Sequence, residues 1–156
     1  MQDNSYNNSG DTHLIEALFL YASLGIVITN QHGEILCVNN FAGKQFGYTP
    51  DELLHRKIDI LIPQRFHESH ARYLEAYSQN PIARPMGKGM ELHAVKKDGT
   101  EFPVEISLGY YQHNNHLHVI AFINDISERL QNEKMILKLH EELEAKAVYL
   151  RNGLQR

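Results

Sequence analysis

The sequence predicts an α+β domain in which helices cover one antiparallel β-sheet. Segment 89–109 alternates apolar and polar residues around Asp98-Gly99, a pattern typical of a long β-hairpin. Segments 25–30 and 116–124 are apolar on both faces, as in central strands that are covered on both sides. Such strands need helices with an apolar side to cover the sheet. Segments 13–23 and 64–79 have apolar residues at the spacing of such helices.

The apolar pattern selects the loop length of this hairpin. A two-residue loop would place polar residues opposite the apolar residues of the second arm. A three-residue loop instead pairs Ala94 with Phe102 and Leu92 with Val104, so that apolar residues face one another. It also suits a type I turn in which Gly99 forms a left-handed bulge. We therefore predict a three-residue loop that ends at Gly99.

The same register assigns the inner face of the hairpin. Met90 pairs with Ile106, and both lie on the side that also carries Leu92 and Leu108. Pro103 has no N–H group and must leave one hydrogen bond of the ladder unformed. We therefore expect the last strand of the sheet to stop pairing with the hairpin at Pro103.

Size and composition limit the classes of function. The chain has 156 residues, of which 42% are apolar, and a net charge of −4, which suits one domain with an appendage. The negative charge and the lack of Lys/Arg runs argue against nucleic-acid binding. Apolar runs are too short to span a bilayer, and no signal peptide opens the chain. A single cysteine, Cys37, allows no internal disulfide and favours a reducing cytoplasm.

The N-terminal part combines a polar tail with a helix and a hairpin. Residues 1–12 are polar and rich in Asn and Ser, and we predict a disordered tail there. The helix predicted for 13–23 is apolar over a wide arc. We expect this helix, or else a second copy of the chain, to cover the outer face of the sheet. Strands 25–30 and 34–39 form the first hairpin.

Short helices and one longer helix follow. A helix over 39–47 should end at Gly47. Segment 49–52, Thr-Pro-Asp-Glu, has the cap, the first-position proline and the glutamate of a capping box, and a short turn covers 58–62. The helix predicted for 64–79 has a stripe made of Phe66, His70, Tyr73, Leu74 and Tyr77.

The C-terminal segment, 127–156, is predicted to be one long helix. Its heptad a and d positions are apolar at Ile136, Leu139, Leu143 and Leu150. Because so long a helix finds no partner in its own domain, we expect a parallel coiled coil between two copies of the chain.

Six segments carry a recognisable pattern in this order: 25–33, 35–39, 46–53, 61–63, 97–105 and 125–129. With these segments, the order of the elements over residues 13–129 resembles that of PAS sensor domains. The resemblance implies a five-stranded antiparallel sheet in the order 2-1-5-4-3, with short helices and one long helix closing one face around a pocket. It also implies a sensor domain over 13–125 and a signalling helix over 126–156 that leads to an output module, most often a histidine kinase.

His70 is the candidate cofactor ligand. It lies within the stripe of the long helix, where a neutral imidazole could ligate iron. The chain also resembles haem-binding oxygen-sensing PAS domains, in which a histidine at the corresponding place is the proximal ligand and an aromatic residue, here Tyr73, follows three residues later. Those domains contact the bound gas through an arginine where this chain has Met90, which could pack or act as a sixth ligand. The favoured alternative for His70 is a hydrogen-bonded core or pocket histidine.

Other cofactor sites have less support in the sequence. His67 and His70 can be neighbours on a helix, but no third zinc ligand is evident. His113, His116 and His118 are assigned to a solvated hairpin turn. Flavin is disfavoured because the chain lacks the cysteine motif of flavin photoreceptors and contains no tryptophan to stack on the ring.

We therefore predict a cytoplasmic PAS sensor module without catalysis of its own. A small ligand, a cofactor state or a partner occupies the pocket, and the change passes through a C-terminal coiled-coil homodimer, with a contribution from the N-terminal helix, to an output kinase domain. The alternatives are a haem-based gas or redox sensor with His70 as axial ligand, and a ligand-free dimerisation module with a filled core. The predicted pocket consists of His70, Tyr73, Met90, Leu92, Ile106, Leu108, Ile120 and Phe122. The predicted relay consists of Asp125 as the cap of the last helix, Ile126 and Arg129.

Overall fold

The computed structural model describes residues 8–82 and 92–154 and forms two compact units that divide between Asp125 and Ile126. The first unit has the predicted α+β fold. Its elements are α1 (Asn8–Tyr21), β1 (Gly25–Asn30), β2 (Ile35–Val38), α2 (Asn40–Phe46), α3 (Pro50–Leu53), two 3-10 turns (Ile58–Leu61 and Gln64–Phe66), α4 (His67–Gln79), β3 (Leu92–Val95), β4 (Glu101–His113) and β5 (His116–Asp125). The five strands form one antiparallel sheet in the order β2-β1-β5-β4-β3. The second unit is α5 (Ser127–Gly153).

The β3–β4 hairpin has the predicted register. Leu92 pairs with Val104 and Ala94 with Phe102. Gly99 has a φ of 87°, and its N–H donates to the Lys96 carbonyl at 2.9 Å. The three-residue loop and its left-handed glycine are therefore confirmed, while the predicted Met90 pair lies outside the described residues.

Pro103 marks a change of partner along β4, as predicted. The pairing between β4 and β5 begins at Val104, which lies opposite Asp125. Pro103 itself lies opposite His93 of β3. Because proline has no N–H group to donate, the ladder with β5 starts one residue later.

The core lies on one face of the sheet, here named the inner face. Strand residues such as Val27, Val104 and Ile123 pack there against α2, α3 and the first 3-10 turn. Phe46 of α2 contacts Phe102 of β4, with ring centroids 5.4 Å apart. Burial of these side chains stabilises this end of the domain by about 1.5–3 kcal/mol for each large residue.

The sheet register corrects two residues of the predicted pocket. Ile106 of β4 lies opposite Ile123 of β5, and Leu108 lies opposite Ala121. The inner face of β5 therefore consists of the odd-numbered residues from Leu117 to Ile123, which include Ala121. Ile120 and Phe122 point to the other, outer face, so their assignment to the pocket was wrong. The sequence is apolar on both faces of β5, and only the register distinguishes them.

The N-terminal helix also differs from its prediction. It begins at Asn8, so residues 8–12 are helical, not disordered as predicted, and Asp11 in the first turn interacts favourably with the helix dipole. Its main contacts are with α2, and apolar side chains such as Leu18 are exposed. Only three residues separate α1 from β1, and this short link holds the helix beside α2. It does not cover the outer face of the sheet.

Two helix boundaries, the end of α2 and the start of α3, follow the predicted capping residues. Gly47 ends α2 with a φ of 76°, and the Thr49 hydroxyl accepts a hydrogen bond from the Glu52 N–H at the start of α3. The N-cap position of α5 is Ile126, not Asp125 as predicted, and Ile126 makes no side-chain capping bond. Across the described ranges, no helix combines the length and the apolar character needed to cross a membrane.

Candidate functional site

Helix α4 presents one partly buried side toward the rest of the domain. His67, His70, Leu74 and Tyr77 lie on that side, while Tyr73 is 63% exposed. The predicted stripe was therefore too wide: Tyr73 lies at its margin, about 60° around the helix from His70, and its ring remains in solvent. Its assignment to the pocket was wrong.

The far end of α4 reaches the sheet through an aromatic contact. Tyr77 meets Tyr110 of β4 edge to face, with ring centroids 6.3 Å apart and an interplanar angle of 81°. The inner-face residues between this contact and the main core are less covered than the core itself. Leu92, Ile106 and Leu108 are only half-buried, so apolar surface remains available at this end of the sheet. The fourth sheet residue of the predicted pocket, Met90, lies outside the described residues.

A cleft of about 370 Å³ lies beside His70, a size within the range of small-molecule sites. It is formed by the β1–β2 turn, the first 3-10 turn and α4, and its lining includes Gly33, Asp59, His70 and Leu74. Gly33, with a φ of 78°, lets Leu74 approach, because a Cβ there would lie 3.0 Å from Leu74 Cδ2. The structure thus groups His70 with Asp59 and the β1–β2 turn, while Leu92, Ile106 and Leu108 lie outside this cleft.

The His70 imidazole is held close to a carboxylate. Its Nδ1 lies 3.7 Å from Asp59 Oδ1, is buried and has no hydrogen-bond partner among the described residues. Burial lowers the pKa of His70, the Asp59 charge opposes this effect, and His67 lowers the pKa further. The neutral imidazole is therefore favoured near pH 7, and this is the form that ligates metals.

Two observations test whether the residues present fit a haem. An axial histidine needs a neutral ring with one nitrogen for the iron and the other directed to an acceptor. His70 fits, because its Nδ1 faces Asp59. His67 is less suitable, because its Nε2 donates to the Ile62 carbonyl at 2.6 Å and only Nδ1, the nitrogen next to the side-chain stem, remains for a metal. Among residues 8–82 and 92–154, no group of three or more His, Cys, Asp or Glu side chains is arranged to hold a metal ion.

The remaining candidates have ordinary structural surroundings. Tyr111 stacks on His118 at the β4–β5 hairpin, with centroids 4.8 Å apart and nearly parallel rings. Cys37 of β2 lies opposite Ile28 of β1, and burial raises the pKa of the Cys37 thiol. The thiol therefore stays protonated and packs as a small strand residue.

Asp59 was missed by sequence reasoning. It lies in a four-residue 3-10 turn, which is too short for any periodicity to indicate where a side chain points. The Leu61 side chain, 3% exposed, anchors this turn in the core. The available signal was a carboxylate between two apolar residues, Ile58 and Ile60, which are partly buried, and that signal alone did not connect it with His70.

A protein-family model described as "PAS domain" matches residues 23–128 of the chain. Among curated proteins, the chain is 28% identical over 133 residues to the sensor protein FixL of Bradyrhizobium diazoefficiens, covering 85% of this chain and 26% of that protein. It is 27% identical over 116 residues to the oxygen sensor protein DosP of Escherichia coli, covering 74% of this chain and 14% of that protein. The chain therefore spans about a quarter or less of these relatives.

Solved structures agree on the fold. The PAS domain of an HTR-like protein from Haloarcula marismortui superposes with a TM-score of 0.62 at 23% identity, covering 76% of this chain and 93% of that one. At this identity the similarity establishes the arrangement of the sheet and its helices and nothing about the ligand.

Proposed function

The chain belongs to the PAS domain family, and we propose that it is the ligand-sensing module of a longer signal-transduction protein. The observation that supports this proposal is the cleft beside His70, together with a separate stretch of the inner sheet face that is only half-buried. A well-packed structural domain would cover this apolar surface. A small molecule bound here would contact α4, the first 3-10 turn or the sheet, and would favour the arrangement of these elements that fits it best.

The output side of this proposal follows from the chain order. Strand β5 leads directly into α5, and the chain covers only a minor part of its sensor relatives. We assign the output to a histidine kinase, with Asp125 at the end of β5, Ile126 between the two elements and Arg129 in the first turn of α5 as the relay. The signal transmitted cannot exceed the difference in binding free energy of the ligand between the two states.

Native mass spectrometry of the purified protein tests the sensing function. A bound small molecule should add mass to the folded chain and be released on denaturation. A folded protein with the mass of the chain alone, which also takes up no added haem, would instead support a ligand-free dimerisation module.

A second, more specific candidate is a haem-based gas or redox sensor with His70 as axial ligand. Three observations favour it: His70 is the partly buried neutral histidine of α4, its Nδ1 faces a carboxylate, and one relative is an oxygen sensor. His70 would bind the iron through Nε2, and the apolar residues of the inner sheet face would exclude water from the ring. A bound haem supplies an iron whose sixth position takes a diatomic gas.

Two matched variants test the haem candidate. Haem-reconstituted protein should show a Soret band, and His70→Ala should abolish it. His67→Ala removes a histidine one turn earlier on the same helix, whose Nε2 already binds the Ile62 carbonyl, and should retain the band. Equal haem binding by both variants would exclude His70 as the ligand.

A further inference from the structure

The last part of α5 is exposed along its whole described length. Every residue from Gln131 to Leu154 is exposed to solvent, although this segment carries large apolar side chains at regular intervals. Helices in proteins obtain most of their stability from packing an apolar side against a neighbour. Apolar side chains that line up on an exposed helix therefore mark a surface for a partner.

The apolar residues of this segment repeat every eleven residues. Ile136, Leu139 and Leu143 are separated by three and four residues, and the same spacing returns eleven residues later. The second set consists of Ala147, Leu150 and Leu154. The isoleucine and the four leucines are each more than half exposed. All six positions of the two repeats are thus apolar and open to solvent, and they are here named the α5 seam.

A seven-residue repeat describes the same segment less well. It shares four positions with the α5 seam but continues through Lys146 and Gly153, which would place a charge and a glycine between the paired helices. With eleven residues in three turns, Lys146 lies about 65° around the helix from the centre of the seam. The eleven-residue repeat therefore keeps the lysine beside the seam and in contact with water.

The seam begins at Ile136. One repeat earlier, the corresponding positions are the polar residues Asp125, Glu128 and Asn132, which cannot extend an apolar surface. From Ile136 to Leu154 the seam is about 27 Å long at 1.5 Å per residue.

The charges of α5 suit a second copy of the same helix. Five basic and five acidic residues lie between Ser127 and Gly153, so two copies meet without net repulsion, although the whole chain has a net charge of −4. In a parallel pair without an offset, each seam residue meets its own counterpart, and all six levels join apolar side chains. A different partner would need the same eleven-residue pattern. Pairs of identical chains related by a two-fold axis are also the commonest assembly.

We propose that residues 136–154 pair in parallel and without an offset with the same segment of a second copy, through an eleven-residue repeat. This repeat gives about 3.67 residues per turn, slightly more than the 3.6 of a straight helix. The two helices therefore run nearly straight with a slight right-handed twist, whereas heptads would impose a left-handed supercoil. Ala147 lies within the seam and Lys146 beside it, whatever ligand the sensor domain binds.

Cysteine crosslinking distinguishes the two repeats. Leu143→Cys, Lys146→Cys and Ala147→Cys are each introduced into the full chain with Cys37→Ala, oxidised with copper phenanthroline and followed on non-reducing gels. A disulfide forms only where the two Cβ atoms can approach within about 4.5 Å. Leu143→Cys and Ala147→Cys should therefore crosslink at least about 10-fold faster than Lys146→Cys. Faster crosslinking of Lys146→Cys than of Ala147→Cys would overturn the eleven-residue repeat.

Sedimentation equilibrium tests the same two neighbours without oxidation. Ala147→Lys places a charge within the seam and should raise the dissociation constant of the dimer at least about 10-fold. Lys146→Gln, the matched control, changes a charge beside the seam and should leave the constant within about 3-fold of the wild type. An unchanged constant for Ala147→Lys would overturn the repeat. A monomeric wild type, or a dimer in which neither Leu143→Cys nor Ala147→Cys crosslinks, would overturn the parallel pairing itself.

Discussion

The side-chain amide of Asn39 donates a hydrogen bond to the main-chain carbonyl of Phe19 at 3.1 Å and so joins the N-terminal helix to the core. The same nitrogen donates to the Leu24 carbonyl at 2.9 Å. On its other side, Oδ1 accepts from the N–H groups of Ile26 and Ala42. Asn39 is fully buried, and all its side-chain hydrogen-bonding groups have partners on α1, the α1–β1 link, β1 and α2.

Replacing Asn39 by Ala should therefore be strongly destabilising. The change removes the N-cap of α2 and leaves several buried main-chain groups without partners, and each such group costs about 1–3 kcal/mol. We expect the free energy of unfolding, measured by urea denaturation, to fall by roughly 2 kcal/mol or more. The matched control is Asn40→Ala, because Asn40 is the next residue and is exposed. Similar losses for the two variants would contradict the role assigned to Asn39.

Gly25 and Gln45 form a second tight contact at the start of β1. Gln45 Nε2 donates to the Ile123 carbonyl at 3.1 Å, and a Cβ on Gly25 would collide with Gln45 Oε1. Gly25→Ala should displace the Gln45 amide from β5 and cost about 0.5–1.5 kcal/mol, the net contribution of the hydrogen bond that is lost. Urea denaturation of this variant measures the loss.

A double-mutant cycle identifies the cause. In a Gln45→Ala background, Gly25→Ala should cost less than in the wild type by at least about 0.5 kcal/mol, because the colliding side chain is gone. Gly109→Ala is the control glycine substitution, since its added Cβ would meet only Phe122 at 3.9 Å. Strictly additive effects of the Gly25 and Gln45 changes would contradict the proposed collision.

The ion pair between Arg65 and Glu101 predicts a pH-dependent contribution to stability. Two hydrogen bonds of 2.5 and 2.7 Å join the groups, and the hydrogen-bonded Arg65 guanidinium lowers the pKa of Glu101. A carboxyl group whose pKa is lower in the folded state stabilises the fold above its unfolded pKa of about 4.3. That contribution is lost as the pH falls through the lower, folded pKa.

Arg65→Gln should accordingly lower the free energy of unfolding near pH 7. This loss should become smaller as the pH falls below about 4.3. Urea midpoints of wild type and variant, measured from pH 7 to the acid limit of the folded state, test this dependence. Arg72→Gln is a suitable comparison, because Arg72 Nη2 lies 3.9 Å from Glu68 Oε1 and both side chains are highly exposed. This pair should therefore contribute little to stability at any pH. An Arg65→Gln effect that is constant over the whole range would show that the pair does not stabilise through its charge.

The hairpin could be predicted from sequence because its information is local. Alternation along β4 and the glycine at position 99 were sufficient to fix the pairing of Ala94 with Phe102. The same logic failed for β5, where both faces are apolar and alternation carries no signal. Ile120 and Phe122 were therefore placed on the wrong face, although the existence and extent of the strand were predicted well.

The site was predicted less completely than the fold. His70 was found from its place in a helical stripe, whereas Tyr73 at the margin of that stripe is exposed. Asp59 Oδ1 lies 3.7 Å from His70 Nδ1 although the two residues belong to different elements, and no sequence period links a 3-10 turn to the helix after it. Sequence patterns indicate which side of an element is buried, but a contact between two elements also depends on how they are placed in space.

Helix α5 has an apolar seam without a partner in its own unit. Ile136, Leu139, Leu143 and Leu150 occupy the heptad a and d positions, and each is more than half exposed. We expect two copies of the chain to pair along this seam. Leu143→Glu should weaken the dimer at least about 100-fold, because each copy loses about 1.5–3 kcal/mol of apolar burial.

Val148→Glu provides the matched control for this prediction. Val148 is 53% exposed on the same helix but lies at an f position, away from the seam. Sedimentation equilibrium should give the wild-type dissociation constant for Val148→Glu and a largely monomeric Leu143→Glu. Because both variants add one acidic residue to the same helix, a general effect of charge or helix propensity would weaken the two dimers equally, and that result would exclude the coiled-coil seam.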